Sequence, residues 1–194
     1  MKKTFLAFVV IVILLSCKQK TGIVFPAQWQ NDTLQQTAKA KANIVNNLAI
    51  DNTYQFDSTA IVSGCGMVAL QKISKDYRYE LIIELILDSI PKYKQFSIVD
   101  FRDHIKITLN QYSKDNKLIN DICTDTPVYS KDQKEPITFT AIEGLMTITN
   151  IDGKHSPFKI SLTTNNLVFQ NADKETFLLP KEEFKDVLVG WYAG

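Results

Sequence analysis

From Tyr54 onward, apolar residues recur at every second position. His104 to Gln111 is the cleanest case: Ile105, Ile107 and Leu109 share one face, while His104, Lys106, Thr108 and Asn110 share the other. Such alternation predicts a strand with one dry and one wet face, and a wet face argues for an antiparallel sheet. The constraint is strong, because a register slip of one residue would turn the dry face to water.

The same period extends over Tyr77, Tyr79, Leu81, Ile83, Leu85 and Leu87, opposite Arg78, Glu80, Glu84 and Asp88 with Ile82 and Ile86. A helix would also put Glu80, Glu84 and Asp88 in one row, but the alternation and the β-branched residues favour a strand. Ile137–Ile142, Leu145–Asn150 and Phe158–Thr163 continue the pattern. Asp152-Gly153 predicts a hairpin between the last two runs, and Asn165-Asn166 predicts a further turn before Leu167, Val168 and Phe169. Two segments have helical features. Asn31-Asp32-Thr33 offers N-cap chemistry, and Leu34, Ala38, Ala42, Val45 and Ala49 follow at helical spacing, predicting an amphipathic helix over Thr33–Ala49. Pro180, with Glu182 and Glu183 in a first turn, predicts a short helix through Lys181 to Leu188. The expected fold is mainly β, an antiparallel sandwich or open barrel with one N-terminal amphipathic helix and a short C-terminal helical segment.

The N-terminus has a different character. Lys2 and Lys3 precede an unbroken apolar run of 11 residues, Phe5 to Leu15. That is the length of a signal-peptide core and short of the roughly 20 residues that span a bilayer as a helix. The run ends in Leu14-Leu15-Ser16-Cys17, which resembles the lipobox of bacterial lipoprotein signal peptides, with Leu15 bulkier than that family usually carries. The resemblance implies cleavage before Cys17, diacylglycerol on its sulfur and acylation of the new amine. Two or three acyl chains anchor firmly, at about 0.8 kcal/mol per buried methylene. Lys18-Gln19-Lys20 contains neither the aspartate that marks inner-membrane retention in such lipoproteins nor the acidic cluster that marks surface export in Bacteroidota. The implied address is the outer membrane, facing the periplasm. The expected organisation is a signal peptide over 1–16, a lipidated cysteine and tether over 17–30, broken by Gly22 and Pro26, and one β-rich domain over 31–194.

Removing residues 1–16 from 194 leaves 178, enough for one domain with a sizeable core. Two of the 22 basic residues leave with the signal, so 20 face 21 acidic ones, a side-chain charge of −1. Such a balance carries no electrostatic footprint for nucleic acid. With Cys17 committed to lipid, Cys65 and Cys123 form an even pair in an exported chain, where a disulfide is the favoured state. Two buried free thiols are the plainer alternative, and without CxxC spacing a metal or redox pair has little support. The glycines of Ser63-Gly64-Cys65-Gly66 allow a bulge or a close backbone approach there.

Recognisable chemistry is sparse. The chain contains no GxSxG, HExxH, P-loop or GxGxxG. A strand over Asp100, Arg102 and His104 would put all three on one face, but Arg102 opposes a cation, so a solvated polar face is expected. His155 reads as a loop residue. Asp115, Asn116, Asn120 and Asp121 lack the spacing and central glycine of a calcium loop. Glu80 and Glu84 would lie about 13 Å apart along a strand, too far for a glycosidase pair. Tyr54, Phe56, Tyr77 and Tyr79 read as core aromatics before they read as a ligand pocket. No catalytic residue, cofactor or metal is therefore expected. Asp32-Thr33-Leu34, Asp57-Ser58-Thr59 and Asp88-Ser89-Ile90 resemble the O-glycosylation pattern of Bacteroidota exporting systems. Ser89 is the favoured site, since Pro91 marks a turn there.

The expected function is a non-enzymatic binding or accessory module of the cell envelope, held to the membrane through its lipid anchor. Its partner would be an envelope protein or a small ligand. The chain loosely resembles small uncharacterised β-rich lipoproteins of Bacteroidota in its signal peptide and short alternating strands. An inhibitor or immunity protein against a periplasmic enzyme is the second class, and an enzyme with scattered site residues the third.

Overall fold

In a computed structural model of the chain, residues 50–66, 68–115, 122–124, 134–152 and 156–191 are described. Their strands are β1 (Asn52–Thr53), β2 (Ile61–Cys65), β3 (Ala69–Ile73), β4 (Tyr79–Leu85), β5 (Gln95–Ser97), β6 (Ile105–Gln111), β7 (Ile137–Asp152), β8 (Phe158–Gln170) and β9 (Thr176–Val189). They form one sheet in the order β1-β9-β8-β7-β6-β4-β3-β2, with β5 added beside the second half of β7. All pairings are antiparallel except β1 with β9. The sheet is mainly made of sequence neighbours, and it curls into an open half-barrel rather than folding into two stacked layers.

The concave side is the core. Leu81, Ile83 and Leu85 of β4 and Ile105, Ile107 and Leu109 of β6 are buried there, as their alternation requires. Phe139, Met146, Ile148, Ile160, Leu162, Phe169, Phe177 and Phe184 fill the space between the long strands. Tyr54 stacks on Tyr79 with centroids 4.1 Å apart, and Phe139 meets Phe177 edge-on at 5.5 Å. These aromatics belong to the core, except Tyr77, which lies outside the strand in a turn at φ 58° and is 40% exposed.

The curl brings the two ends of the sheet together at one corner. The Gly66 amide donates to the Trp191 carbonyl at 2.8 Å, and the Gly190 amide donates to the Gly66 carbonyl at 2.7 Å. A Cβ on Gly64 would sit 2.5 Å from the Leu188 carbonyl oxygen. The close backbone approach expected around Cys65 is therefore real, and its cause is β9 crossing β2 at a residue without a side chain.

Several expectations need correction. Lys181–Leu188 is not helical: it is part of β9, with Glu182, Phe184, Val187 and Val189 buried and Lys181, Glu183 and Lys185 exposed. Asp186, at φ 50°, interrupts the alternation, and this places Phe184, Val187 and Leu188 at i, i+3 and i+4, which imitates a helix. β1 covers β9 only at Phe177 and Leu178, so Pro180 sits where β9 is an edge strand, a position that tolerates proline. Asn165-Asn166 is not a turn. It lies inside β8, where Asn166 adopts φ 50° and the strand continues to Gln170. Ile137–Ile142 and Leu145–Asn150 are one strand, continuous through Gly144 at φ 142°. The predicted hairpin between Leu145–Asn150 and Phe158–Thr163 is present, with Ile148 opposite Leu162. The helix expected over Thr33–Ala49 lies outside the described residues.

Candidate functional site

Three places gather polar chemistry. The first is a cleft of about 490 Å³ at the end of the sheet where β4 stops and β6 begins. Val68 and Ala69 after the β2–β3 turn, Leu85 and Ile86 at the end of β4, and Ile105 supply an apolar floor. Backbone bonds fix these pieces: Leu85 N to Val68 O at 3.0 Å, Ile86 N to His104 O at 2.9 Å and His104 N to Phe101 O at 2.9 Å. Charged groups rim the cleft. Lys106 pairs with Glu84 at 3.1 Å, while Arg102 and Asp103 are exposed. His104 Nδ1 is buried and has no hydrogen-bond partner among the described residues. Asp100, Arg102 and His104 do not share a strand face, because Ile98–Phe101 forms a 3₁₀ turn and Arg102 is αR.

The second place is a more polar cleft of about 560 Å³ between the 55–60 segment, β2 and β9. At its base Lys72 Nζ lies 2.7 Å from Glu182 Oε2. Phe56 N donates to Glu182 Oε1 at 3.2 Å, and Lys72 also donates to the Glu183 carbonyl at 3.3 Å. The ammonium faces the rings of Phe56 and Phe184 at 5.7 and 5.6 Å. The two buried charges satisfy each other and join β3 to β9, so the pair reads as structural.

The third lies on the convex face. The Glu80 carboxylate accepts hydrogen bonds from Gln71 Nε2, from Asn110 Nδ2 at 2.8 Å and from Tyr112 OH at 2.9 Å. Ser63 Oγ and the Ile122 amide donate to Gln71 Oε1. Burial first, then the Glu80 charge and hydrogen bond, hold the Tyr112 phenol well above its ordinary value of 10.0. Cys65 and Cys123 lie at disulfide distance beside this network, with Cα atoms 5.5 Å apart. Ile122 and Cys123 thus bring a distant piece of chain onto the convex face and dry the Glu80 network.

The remaining sequence candidates scatter. Ser89 is exposed at the end of a 3₁₀ turn, Leu87–Ser89, whose Ser89 amide bonds to Ile86 O. Asp57 is tied up by Thr59, whose hydroxyl and amide bonds lower the Asp57 pKa. Cys17, His155, Asn116, Asn120 and Asp121 lie outside the described residues. Glu84 is exposed and paired to Lys106, while Glu80 is buried in its network. Among the described residues no three acidic, histidine or cysteine groups gather as metal ligands.

The sequence reading missed the Lys72–Glu182 pair and the role of the β2–β3 turn in the first cleft. Lys72 occupies an inward position in β3, opposite Leu81 of β4, and a lone charge in a dry row signals a buried partner. Comparison with protein families, curated proteins and solved structures finds no match to this chain.

Proposed function

We propose that this chain is a lipid-anchored lipoprotein of the outer membrane, facing the periplasm, and serves as a binding or accessory module of the envelope. The anchor rests on Leu14-Leu15-Ser16-Cys17 behind a short apolar run. The binding role rests on where the apolar surface lies. The concave side of the sheet is filled by side chains, which speaks against carriage of a lipid inside it. Apolar side chains are instead exposed along the terminal strand β2, at Ile61 (42%) and Val62 (40%), with Leu188 (45%) on β9, which crosses that strand. β2 ends the sheet order; β9 and Trp191 cover it from Gly64 to Gly66, and the Ile61–Ser63 half remains an edge whose exposed β-branched residues suit an envelope protein partner that adds a short extended segment.

This reading is tested by photocrosslinking. A crosslinking residue at Val62, in the membrane-anchored protein in its own host, is expected to capture a discrete partner. The same residue at Thr140, exposed in the interior of the sheet, is expected to capture none. Equal labelling from both positions, or none from Val62, would count against the edge as the binding surface.

A further inference from the structure

The geometry points to the cleft around His104 as a binding site for a small aliphatic zwitterion: an α-amino acid or dipeptide with branched apolar side chains. This site is separate from the β2 edge and stands or falls without it.

The floor sets the apolar part of the ligand. Val68, Leu85 and Ile105 are buried beneath the cleft, and Ile86 stands beside them 52% exposed. A volume of about 490 Å³ is in the range of small-molecule sites and is open enough to admit one or two residues.

The rim sets the charges. Arg102 and Asp103 both line the cleft, both are exposed, and neither makes an ion pair among the described residues. Lys106 and Glu84 neutralise each other across the β4–β6 pair. Among the described residues, Arg102 and Asp103 thus leave the cleft one unpaired cation and one unpaired anion, and the complementary ligand carries one of each. A lone carboxylate or a lone amine would leave one rim charge unanswered.

His104 supplies a directional group. Its amide and carbonyl are both committed to backbone bonds. Its Nδ1 is buried and has no hydrogen-bond partner among the described residues. The ring lines the cleft beside Arg102, where an imidazole N–H can donate to a carboxylate that Arg102 also holds.

Calorimetry on the full-length protein in detergent micelles tests this with four probes, three of which share one isobutyl body while the dipeptide carries two. They are L-leucine, the dipeptide Leu-Leu, 4-methylpentanoate and 3-methylbutylamine. Saturable binding is expected for at least one zwitterion, about tenfold or more tighter than for either singly charged analogue. Arg102→Met should erase the advantage over the amine, Asp103→Asn the advantage over the carboxylate, and Ile86→Glu all binding. These three side chains are exposed, and unchanged melting temperatures would show that the fold persists. No saturable binding of either zwitterion would overturn the inference. So would single-charge analogues that bind as well as leucine, or zwitterion affinities untouched by Arg102→Met and Asp103→Asn.

Discussion

Lys72 and Glu182 show what the half-barrel requires of single residues. Each lies in an otherwise apolar row, and each is stable there because the other is 2.7 Å away and the Phe56 amide donates to the second Glu182 oxygen. Removing one partner strands the other as a buried charge, which costs about 3–5 kcal/mol. Glu182→Gln should therefore lower unfolding free energy by about that amount in urea titrations, while Lys72→Met with Glu182→Leu should recover much of the loss. Tyr112 predicts the alkaline limit. Its phenol is raised above 10.0 in the folded chain, by burial and then by Glu80, so the unfolded chain loses this proton first. The stability it contributes is complete below pH 10 and drains away as pH rises through the raised value. Tyr112→Phe should flatten stability above pH 10 in pH-dependent melts. At neutral pH it should cost about 1–2 kcal/mol, because Glu80 loses a donor.

At the scale of elements, the convex face carries a cysteine pair at disulfide distance. Cys65 and Cys123 are 58 residues apart, and closing a loop of that size is worth about 4 kcal/mol in the chain-entropy view. Replacing both with alanine should lower the melting midpoint and quicken hydrogen exchange at Gln71 and Ile122, beside the Glu80 network. A melting curve unchanged by reductant would argue for free thiols. How far such elements can be read in advance depends on their regularity. β6 was legible because Ile105, Ile107 and Leu109 alternate without interruption. β9 was not, since the irregularity at Asp186 shifts the phase and turns a strand pattern into a helical one. Asn166 misled in the same way, a left-handed residue that bends a strand without ending it. The His104 cleft was legible only in part. Arg102, Asp103 and His104 were visible as a polar cluster, but Gly66, Val68 and Ala69 reach them through strand order, which no local pattern encodes.

At the scale of the whole molecule, the proposed anchor and the proposed glycan can be told apart by mass. The lipobox reading requires loss of residues 1–16 and addition of acyl chains at Cys17, and Cys17→Ser should leave an uncut precursor without acyl label. The folded domain adds a second requirement. An O-glycan needs a hydroxyl that is exposed and free of other duties. Ser89 meets this, at the end of a turn between β4 and β5 and fully outside the ladder. Ser58 is exposed as well, but it sits in a turn tightened by the Asp57–Thr59 bonds. If the host belongs to the Bacteroidota, intact-mass spectrometry of the native protein should show the mature chain plus acyl groups plus one glycan. Ser89→Ala should then remove the glycan mass and leave the acyl mass, and proteases should cut the Leu87–Lys94 turn faster. A mass that accounts only for lipid would remove the glycan while sparing the anchor. A glycan that survives Ser89→Ala would move it to another site, with Ser58 the next to test.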